Sequence, residues 1–533
     1  MLSLSLYPYQ DSAVDKFLDR GSLLVAYEMG LGKSIIATAA AEELFGEDEI
    51  DMCALVVPAA LKYQWAKNLA KYTDVDTRTI KVQGEQIVVP TEEYCSIIDG
   101  TPKQREAAYR MAALRRVDYV ILGYENVVND WLLVKRLDPG MIVLDEATAI
   151  KSFKAQRSKK VKRWDAPYRM ALTGTPVENR PEELFSIMQW VDPDLLGRFD
   201  LFDKSFIVRN HFGGVKAYKN LPTLHGKVQQ VVSRKKRLDP DVRDYLPEVS
   251  EDVWRVKVDP RIRETYTKIA DDLLAELESI NMSGGFDVGA YYSGKMQPDE
   301  NTALGKIMSR QQAMEMLLDH PALVVASATK YNDPASKEGS KYAAELLAGG
   351  WLEGLKSSAK LDRVYEEVVD ILDSHPGNKV VIFSVYREMG RVLAVTLPYK
   401  SVLFHGEMNA GQKAAAQAQF EKDPDTRLFL SSHAGGYGVD LFMANHLINY
   451  DLAWSAGKQD QINARHVRAS SEFSNVFIHN VLVANTVEDR KYQMLAHKRR
   501  VAGSIIDGIG SDTKGKIEND LVSLSEFLRG RVS

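Results

Sequence analysis

The chain has 533 residues, with 68 Lys and Arg against 73 Asp and Glu for a formal net charge of −5; 45% of residues are apolar and 26% charged. That composition excludes a mainly disordered or collagen-like chain and allows two to four domains with ample cores. The mild acidity leaves any nucleic-acid binding to local basic surfaces.

The first 195 residues alternate short apolar runs with helical patterns. Residues 23–27 (LLVAY), 54–58 (ALVVP), 119–124 (YVILGY), 141–146 (MIVLDE) and 169–174 (RMALTG) read as buried strands, short, β-rich and bounded by turn or polar residues. Helical periods separate them, as at 34–45 and 60–72. This alternation predicts a parallel sheet covered on both faces. From 196 to 355 the pattern is helical, with periods at 263–280 and 309–320. Two soft stretches, 281–300 and 328–341, are expected as exposed loops. From 356 the alternation returns, with strand candidates at 379–384, 401–406, 427–432, 446–451 and 475–483. The predicted architecture is α/β: two parallel-sheet blocks in tandem, 1–195 and 356–500, helical insertions at 196–355 between them, and a helical tail over 501–533.

No run approaches the roughly 18 apolar residues of a membrane span. The first ten residues lack the basic segment and cleavage site of a secretory signal. Two cysteines, Cys53 and Cys95, build neither a four-cysteine metal site nor a disulfide scaffold. The expectation is a soluble intracellular protein.

The strongest chemical signal is Glu28-Met29-Gly30-Leu31-Gly32-Lys33-Ser34, which follows a strand and opens a helix. Small residues there let backbone N–H groups curl round phosphate oxygens, and the helix N-terminus adds partial positive charge. Lys33 would reach the β- and γ-phosphates of ATP and Ser34 would bind Mg²⁺. The outer glycine of the usual G-x-x-x-x-G-K-[ST] pattern is Tyr27 here. The second signal is the apolar strand ending in Asp145-Glu146. Two adjacent carboxylates at a sheet rim are poor for stability alone. For nucleotide hydrolysis they make sense: Asp145 would hold Mg²⁺ and Glu146 would deprotonate the attacking water.

With these residues in hand the chain resembles a superfamily II helicase-type ATPase, of the branch that includes the Swi/Snf-like DNA translocases, collinearly from Tyr7 to about Arg500. Leu6 to Gln10 resembles the opening motif, which implies that Gln10 contacts adenine. Glu28 to Ser34 matches motif I, Val56 to Pro58 with Gln64-Trp65 motif Ia, Asp145 to Ala147 motif II, and Leu172 to Asn179 motif III. The last of these implies that Thr173 and Thr175 couple hydrolysis to lobe movement. Val381 to Ser384 resembles motif IV, Ala434 to Leu441 motif V with Gly438 and Asp440 near the nucleotide, and Gln461, Arg465 and Arg468 motif VI. Arg465 and Arg468 are thereby implied as arginine fingers, and the two blocks as RecA-like lobes. Departures include Thr148 where a His is common and Ser431-Ser432-His433 at the start of motif V.

Residues 151–163 hold seven basic side chains, among them Lys151, Lys154, Arg157, Lys159 and Lys160, and no acidic one; Ser233 to Arg237 and Lys498 to Arg500 are smaller basic clusters. Each is a candidate phosphate-tracking surface. The expected partner is DNA, duplex or branched, ahead of RNA, with no membrane. The motor is expected to be monomeric, with room for a replication or repair partner, in the cytoplasm or nucleoid of a prokaryotic or phage-infected cell. The rivals are a strand-separating DNA or RNA helicase and an ATP-gated binding scaffold without turnover.

Overall fold

A computed structural model describes residues 2–82, 85–115, 117–178, 180–209, 215–281, 300, 302–336, 338–432, 441–465, 473–508 and 521–532. Gly438, Asp440 and Arg468 lie outside the described residues, as does nearly all of the predicted loop at 281–300.

The strands in chain order are β1 (Ser22–Tyr27), β2 (Cys53–Val57), β3 (Thr77–Val82), β4 (Glu85–Pro90), β5 (Cys95–Ile97), β6 (Tyr119–Gly123), β7 (Met141–Leu144), β8 (Tyr168–Leu172), β9 (Ile207–Arg209), β10 (Val215–Tyr218), β11 (Val232–Lys235), β12 (Glu248–Val256), β13 (Val380–Ser384), β14 (Ser401–Phe404), β15 (Leu428–Ser432), β16 (His446–Asn449) and β17 (Asn475–Val483). The first large sheet runs β11-β1-β8-β7-β2-β6-β5 and the second β12-β17-β16-β13-β15-β14. Every pairing in both is parallel. β3 with β4 and β9 with β10 form separate antiparallel pairs.

Parallel strands joined by helical crossovers are covered on both faces, so their sequences read as unbroken apolar runs. Alternate residues then serve different cores: Leu24 and Ala26 of β1 join one cluster, while Leu23, Val25 and Tyr27 join the other. The second sheet divides likewise, Val380 and Ile382 to one side and Val381 and Phe383 to the other. All ten strands expected from apolar runs are present.

The segment expected as helical insertions and linker, 196–355, also contributes an edge strand to each sheet. β11 pairs with β1, and β12 pairs with β17 over nine residues. Neither is an apolar run, because an edge strand needs only one face buried and β12 mixes charged with apolar residues. The helices Arg263–Asn281, Ala303–Asp319 and Pro321–Asn332 pack with the second sheet: Leu273, Leu317 and Val324 share a cluster with Ile382 and Tyr450. The helix Pro321–Asn332 takes in the start of the soft stretch expected as a loop at 328–341. The helix Val487–Ile506 begins in that second core, at Val487, and ends in the first, at Val501, Ile505 and Ile506. No helix among the described residues is long and apolar enough to cross a membrane.

Candidate nucleotide site between the two sheets

β1 runs into the loop 28–32 and then the helix Lys33–Gly46. Gly30 and Gly32 have φ of 89° and 78°, left-handed values that suit glycine. A Cβ on Gly32 would collide with the Gln10 carboxamide nitrogen. Tyr27 takes the outer glycine position without penalty because it is still in the strand. Its ring is buried, and its hydroxyl donates to the Tyr9 carbonyl at 2.7 Å. Lys33 Nζ closes the loop on itself, donating to the Tyr27 and Glu28 carbonyls at 2.9 and 3.4 Å. Gln10 is tethered to the same loop: Nε2 donates to the Leu31 carbonyl at 3.3 Å, and Oε1 accepts from Tyr7 N at 3.0 Å.

Asp145 follows β7, the strand beside β8 and one removed from β1. Its Oδ2 accepts from the Trp65 indole at 2.7 Å and its Oδ1 from Glu146 N at 3.0 Å. Glu146 has φ 50°, a left-handed conformation that costs a β-carbon residue about 1 kcal/mol or more. Its Oε2 is enclosed without a hydrogen-bond partner, although the residue as a whole is only half-buried. Burial raises the proton affinity of both carboxyl groups, and the Asp145 charge raises that of Glu146 further; the Lys33 ammonium opposes both shifts. Sequence reading matched Trp65 to a motif but gave it no role. Only the fold puts its indole on Asp145, 80 residues along the chain.

The loop after β8 brings in Thr173 and Thr175. Thr173 is fully buried and its Oγ1 accepts from Thr175 N at 3.1 Å. Thr175 Oγ1 is enclosed without a partner. Gly174 lies over the loop 28–32, where a Cβ would stand 3.3 Å from Met29 Cγ and 3.7 Å from Lys33 Nζ. From the second lobe comes Arg465, 7% exposed, close enough that its charge favours the ionised form of Glu146. It follows the helix Ala456–Asn463, which carries Gln461. The fold thus gathers Gln10, Lys33, Asp145, Glu146, Thr173, Thr175 and Arg465 around one cleft, with Met29, Leu31 and Ser34 on the loop and first helical turn.

The basic clusters behave differently from one another. Lys151 pairs with Glu178 and lies 3.8 Å from Glu183, and Arg157 pairs with Glu125 at 2.6 Å. Lys154 and Lys159 are exposed, and Lys160 lies 5.1 Å over the Trp131 ring. The cluster at Ser233 to Arg237 forms the edge strand β11 and the turn after it, and its four basic side chains, all half-buried, are paired within the chain. Arg234 and Lys236 pair with Asp507 at 2.9 and 2.5 Å, and Lys235 pairs with Asp241 at 2.5 Å. Arg237 donates twice to the Met29 carbonyl, at 3.0 and 3.3 Å, while its N–H donates to Glu28 Oε2 at 3.0 Å. Lys498 is buried between the lobes, donating to the Trp454 carbonyl at 3.1 Å, and burial lowers its pKa to about 8.

Comparison with known proteins places this geometry. The human DNA repair and recombination protein RAD54-like is 24% identical over 503 residues, covering 91% of this chain and 63% of its own length. The chain therefore spans less than two thirds of that relative. The putative ATP-dependent helicase/translocase YwqA of Bacillus subtilis is 25% identical over 369 residues, 68% of this chain and 35% of its own. Among solved structures, the Pyrococcus furiosus Hef helicase domain shares the fold at a TM-score of 0.52 and 18% identity, covering 91% of this chain and 97% of that one. The Sulfolobus solfataricus SWI2/SNF2 ATPase core in complex with dsDNA aligns at a TM-score of 0.42 and 22% identity, covering 95% and 94%. The helicase conserved C-terminal domain matches residues 360–470. The SNF2-related domain matches residues 9–316, more than half of the chain, and the chain belongs to the SNF2-related family.

Proposed function

We propose that the chain is a DNA-dependent ATPase that couples hydrolysis to translocation on, or remodelling of, double-stranded or branched DNA. The observation that carries the reading is the cleft itself. Lys33, Asp145 and Glu146 from one sheet face Arg465 from the other, and Glu146 Oε2 and Thr175 Oγ1 are enclosed there without protein partners. Buried polar atoms are seldom left unpaired unless a ligand or water completes them. The residues present therefore fit a nucleotide and a hydrolytic water.

Lys33, the backbone of Met29 to Gly32 and the first turn of the following helix would hold the phosphates. The Ser34 hydroxyl and the Asp145 carboxylate are hard oxygen donors that suit Mg²⁺. Bound MgATP supplies a γ-phosphoryl group whose charge the metal partly neutralises. The chain supplies the rest. Trp65 holds Asp145 in one orientation. Glu146, with its raised proton affinity, accepts a proton from water at Oε2 or Oε1. Arg465 brings positive charge from the second lobe; a group of that kind is worth about 10³- to 10⁵-fold in turnover. Gln10 braces the loop at Leu31. Because the charges come from both lobes, turnover depends on how the lobes sit, and a cycle of opening and closing moves them along a polymer. The RAD54-like relatives are DNA repair and recombination proteins by name, which supports DNA as that polymer.

The test is ATP turnover by the full chain with no polymer, single-stranded DNA, duplex DNA, forked DNA and RNA. The expected result is stimulation mainly by duplex or forked DNA, with phosphate release abolished in Lys33→Ala and Glu146→Gln. Stimulation mainly by single strands or RNA overturns the duplex assignment in favour of strand separation. Absence of turnover with every polymer, or full activity in either variant, overturns the site.

A further inference from the structure

The two lobes touch beside the cleft at a position that has no side chain. Gly457 is the second residue of the helix Ala456–Asn463 in the second lobe, and it faces the loop after β8 in the first. A Cβ at Gly457 would stand 2.8 Å from Glu178 Cγ and 2.9 Å from Thr175 Oγ1. Carbon neighbours settle at about 3.5–4.0 Å, so a single methyl group would push the surfaces apart. The helical backbone at Gly457 asks for no glycine; alanine is the better helix former. The glycine is explained by the approach of the other lobe.

Glu178 cannot simply swing aside. It is 9% exposed, and its carboxylate is bound to Lys151 and accepts from Ser455 Oγ at 3.5 Å across the lobe boundary. Its backbone N–H donates to Glu183 Oε2 at 2.8 Å. Lys151 lies five residues beyond Glu146, so the seat is continuous with the loop that carries the proposed base. On the other side the short helix is rigidly held: the Gln459 amide donates to Asn463 Oδ1 and accepts from Ala453 N, both at 2.9 Å, and Asp460 pairs with Arg499 at 2.6 Å. Eight residues of helix span about 12 Å. Arg465 follows two residues after the helix ends, so a shift at Gly457 is carried to Arg465.

We infer that Gly457 is a positioning residue for ATP hydrolysis. Its bare backbone seats against Thr175 and the Lys151-bound Glu178, and that seat sets the lobe separation at which Arg465 faces Glu146. The inference rests on the ATPase reading above.

The test compares the full-length wild type with Gly457→Ala and Gly457→Ala/Glu178→Ala. Gly457→Ala is expected to unfold at the same temperature as the wild type or higher and to bind a fluorescent ATP analogue as tightly. Its polymer-stimulated kcat should fall by about 10²-fold, the cost of misplacing catalytic groups by around 1 Å. The double variant, which removes the Cγ under the new methyl, should recover part of that kcat. A Gly457→Ala enzyme with wild-type kcat overturns the inference. So does a loss that appears equally in ATP affinity, or a double variant no better than the single. A wild type without ATP turnover overturns the parent reading instead, so the two failures are distinguishable.

Discussion

Replacing Arg237 by Ala separates two meanings of a basic cluster. The guanidinium makes two hydrogen bonds to the Met29 carbonyl, at 3.0 and 3.3 Å, and holds one side of the loop that carries Gly30 and Gly32. The N–H bond to Glu28 is backbone and survives the change. Hydrogen bonds to a charged group are worth about 1.5–3 kcal/mol net, and half-burial favours the lower end. At 1.4 kcal/mol per tenfold, complete transfer of that loss to nucleotide binding would raise KM for ATP about 10- to 150-fold. Glu146 and Arg465 are untouched, so kcat should fall much less. The assay is steady-state turnover at saturating duplex DNA, with DNA affinity measured separately by fluorescence anisotropy. KM within twofold of wild type would refute the loop-bracing argument. A KM that holds while DNA affinity falls would restore the nucleic-acid reading of Ser233 to Arg237.

Two predictions concern the second lobe. Lys360 is fully buried, with Nζ 2.6 Å from Asp319 Oδ1 and 2.5 Å from Glu488 Oε1, so Lys360→Met should destabilise that lobe by about 3–5 kcal/mol. Calorimetry should show its transition lowered, and the deficit should shrink as pH falls because the stranded Asp319 carboxyl, whose burial raises its proton affinity, takes up a proton more readily folded than unfolded. The second is acid sensitivity. His446 Nδ1 lies 3.1 Å from His479 Nε2, and Asp252 contacts the far nitrogen of His479 at 2.7 Å. Burial, and then His479, depress the pKa of His446 to about 4. The unfolded chain therefore binds the extra proton between about pH 6.5 and 4, and stability is lost as pH falls through that window, roughly 1.4 kcal/mol per pH unit. Urea midpoints at pH 7 and 5 should differ less in His446→Asn than in the wild type; equal differences would remove His446 as the source.

The parts of the fold visible in the sequence are those whose signal is local. Strands buried on both faces are written as unbroken apolar runs, and the phosphate loop and the Asp145-Glu146 pair are contiguous. What was not visible is set by partners far along the chain. β11 and β12 are edge strands with mixed residues, and the β3–β4 hairpin exposes one face, so none produces an apolar run. Trp65 matches a motif in the sequence but has no role there until the fold lays its indole on Asp145. Ser233 to Arg237 reads as a nucleic-acid patch because nothing near it in sequence announces Asp507, more than 270 residues away. Gly457 has no local signature, since its reason for being glycine belongs to the opposite lobe.

These long-range pairs bear on how the lobes can move. The helix Val487–Ile506 is fixed at its start by Glu488 and Lys491, which are buried and paired with Lys360 and Glu315. Its far end is buried in the first core through Val501, Ile505 and Ile506, and His225 Nδ1 contacts the Ile505 carbonyl at 3.0 Å. Asp507, just beyond, binds Arg234 and Lys236, and Arg234 also donates to the Ala26 carbonyl at 2.7 Å, at the end of the strand that leads into the phosphate loop. Among the described residues, the second lobe is therefore joined to the first at the Gly457 seat beside the cleft and through this helix behind the loop. Fully buried ion pairs resist separation far more than half-exposed ones. Asp507 is 11% exposed, against 21% for Arg234 and 28% for Lys236, whereas Lys360 and Asp319 are at 0%. Opening of the cleft is thus expected to leave the helix attached to the second lobe and to yield first at Asp507, the end nearest the phosphate loop.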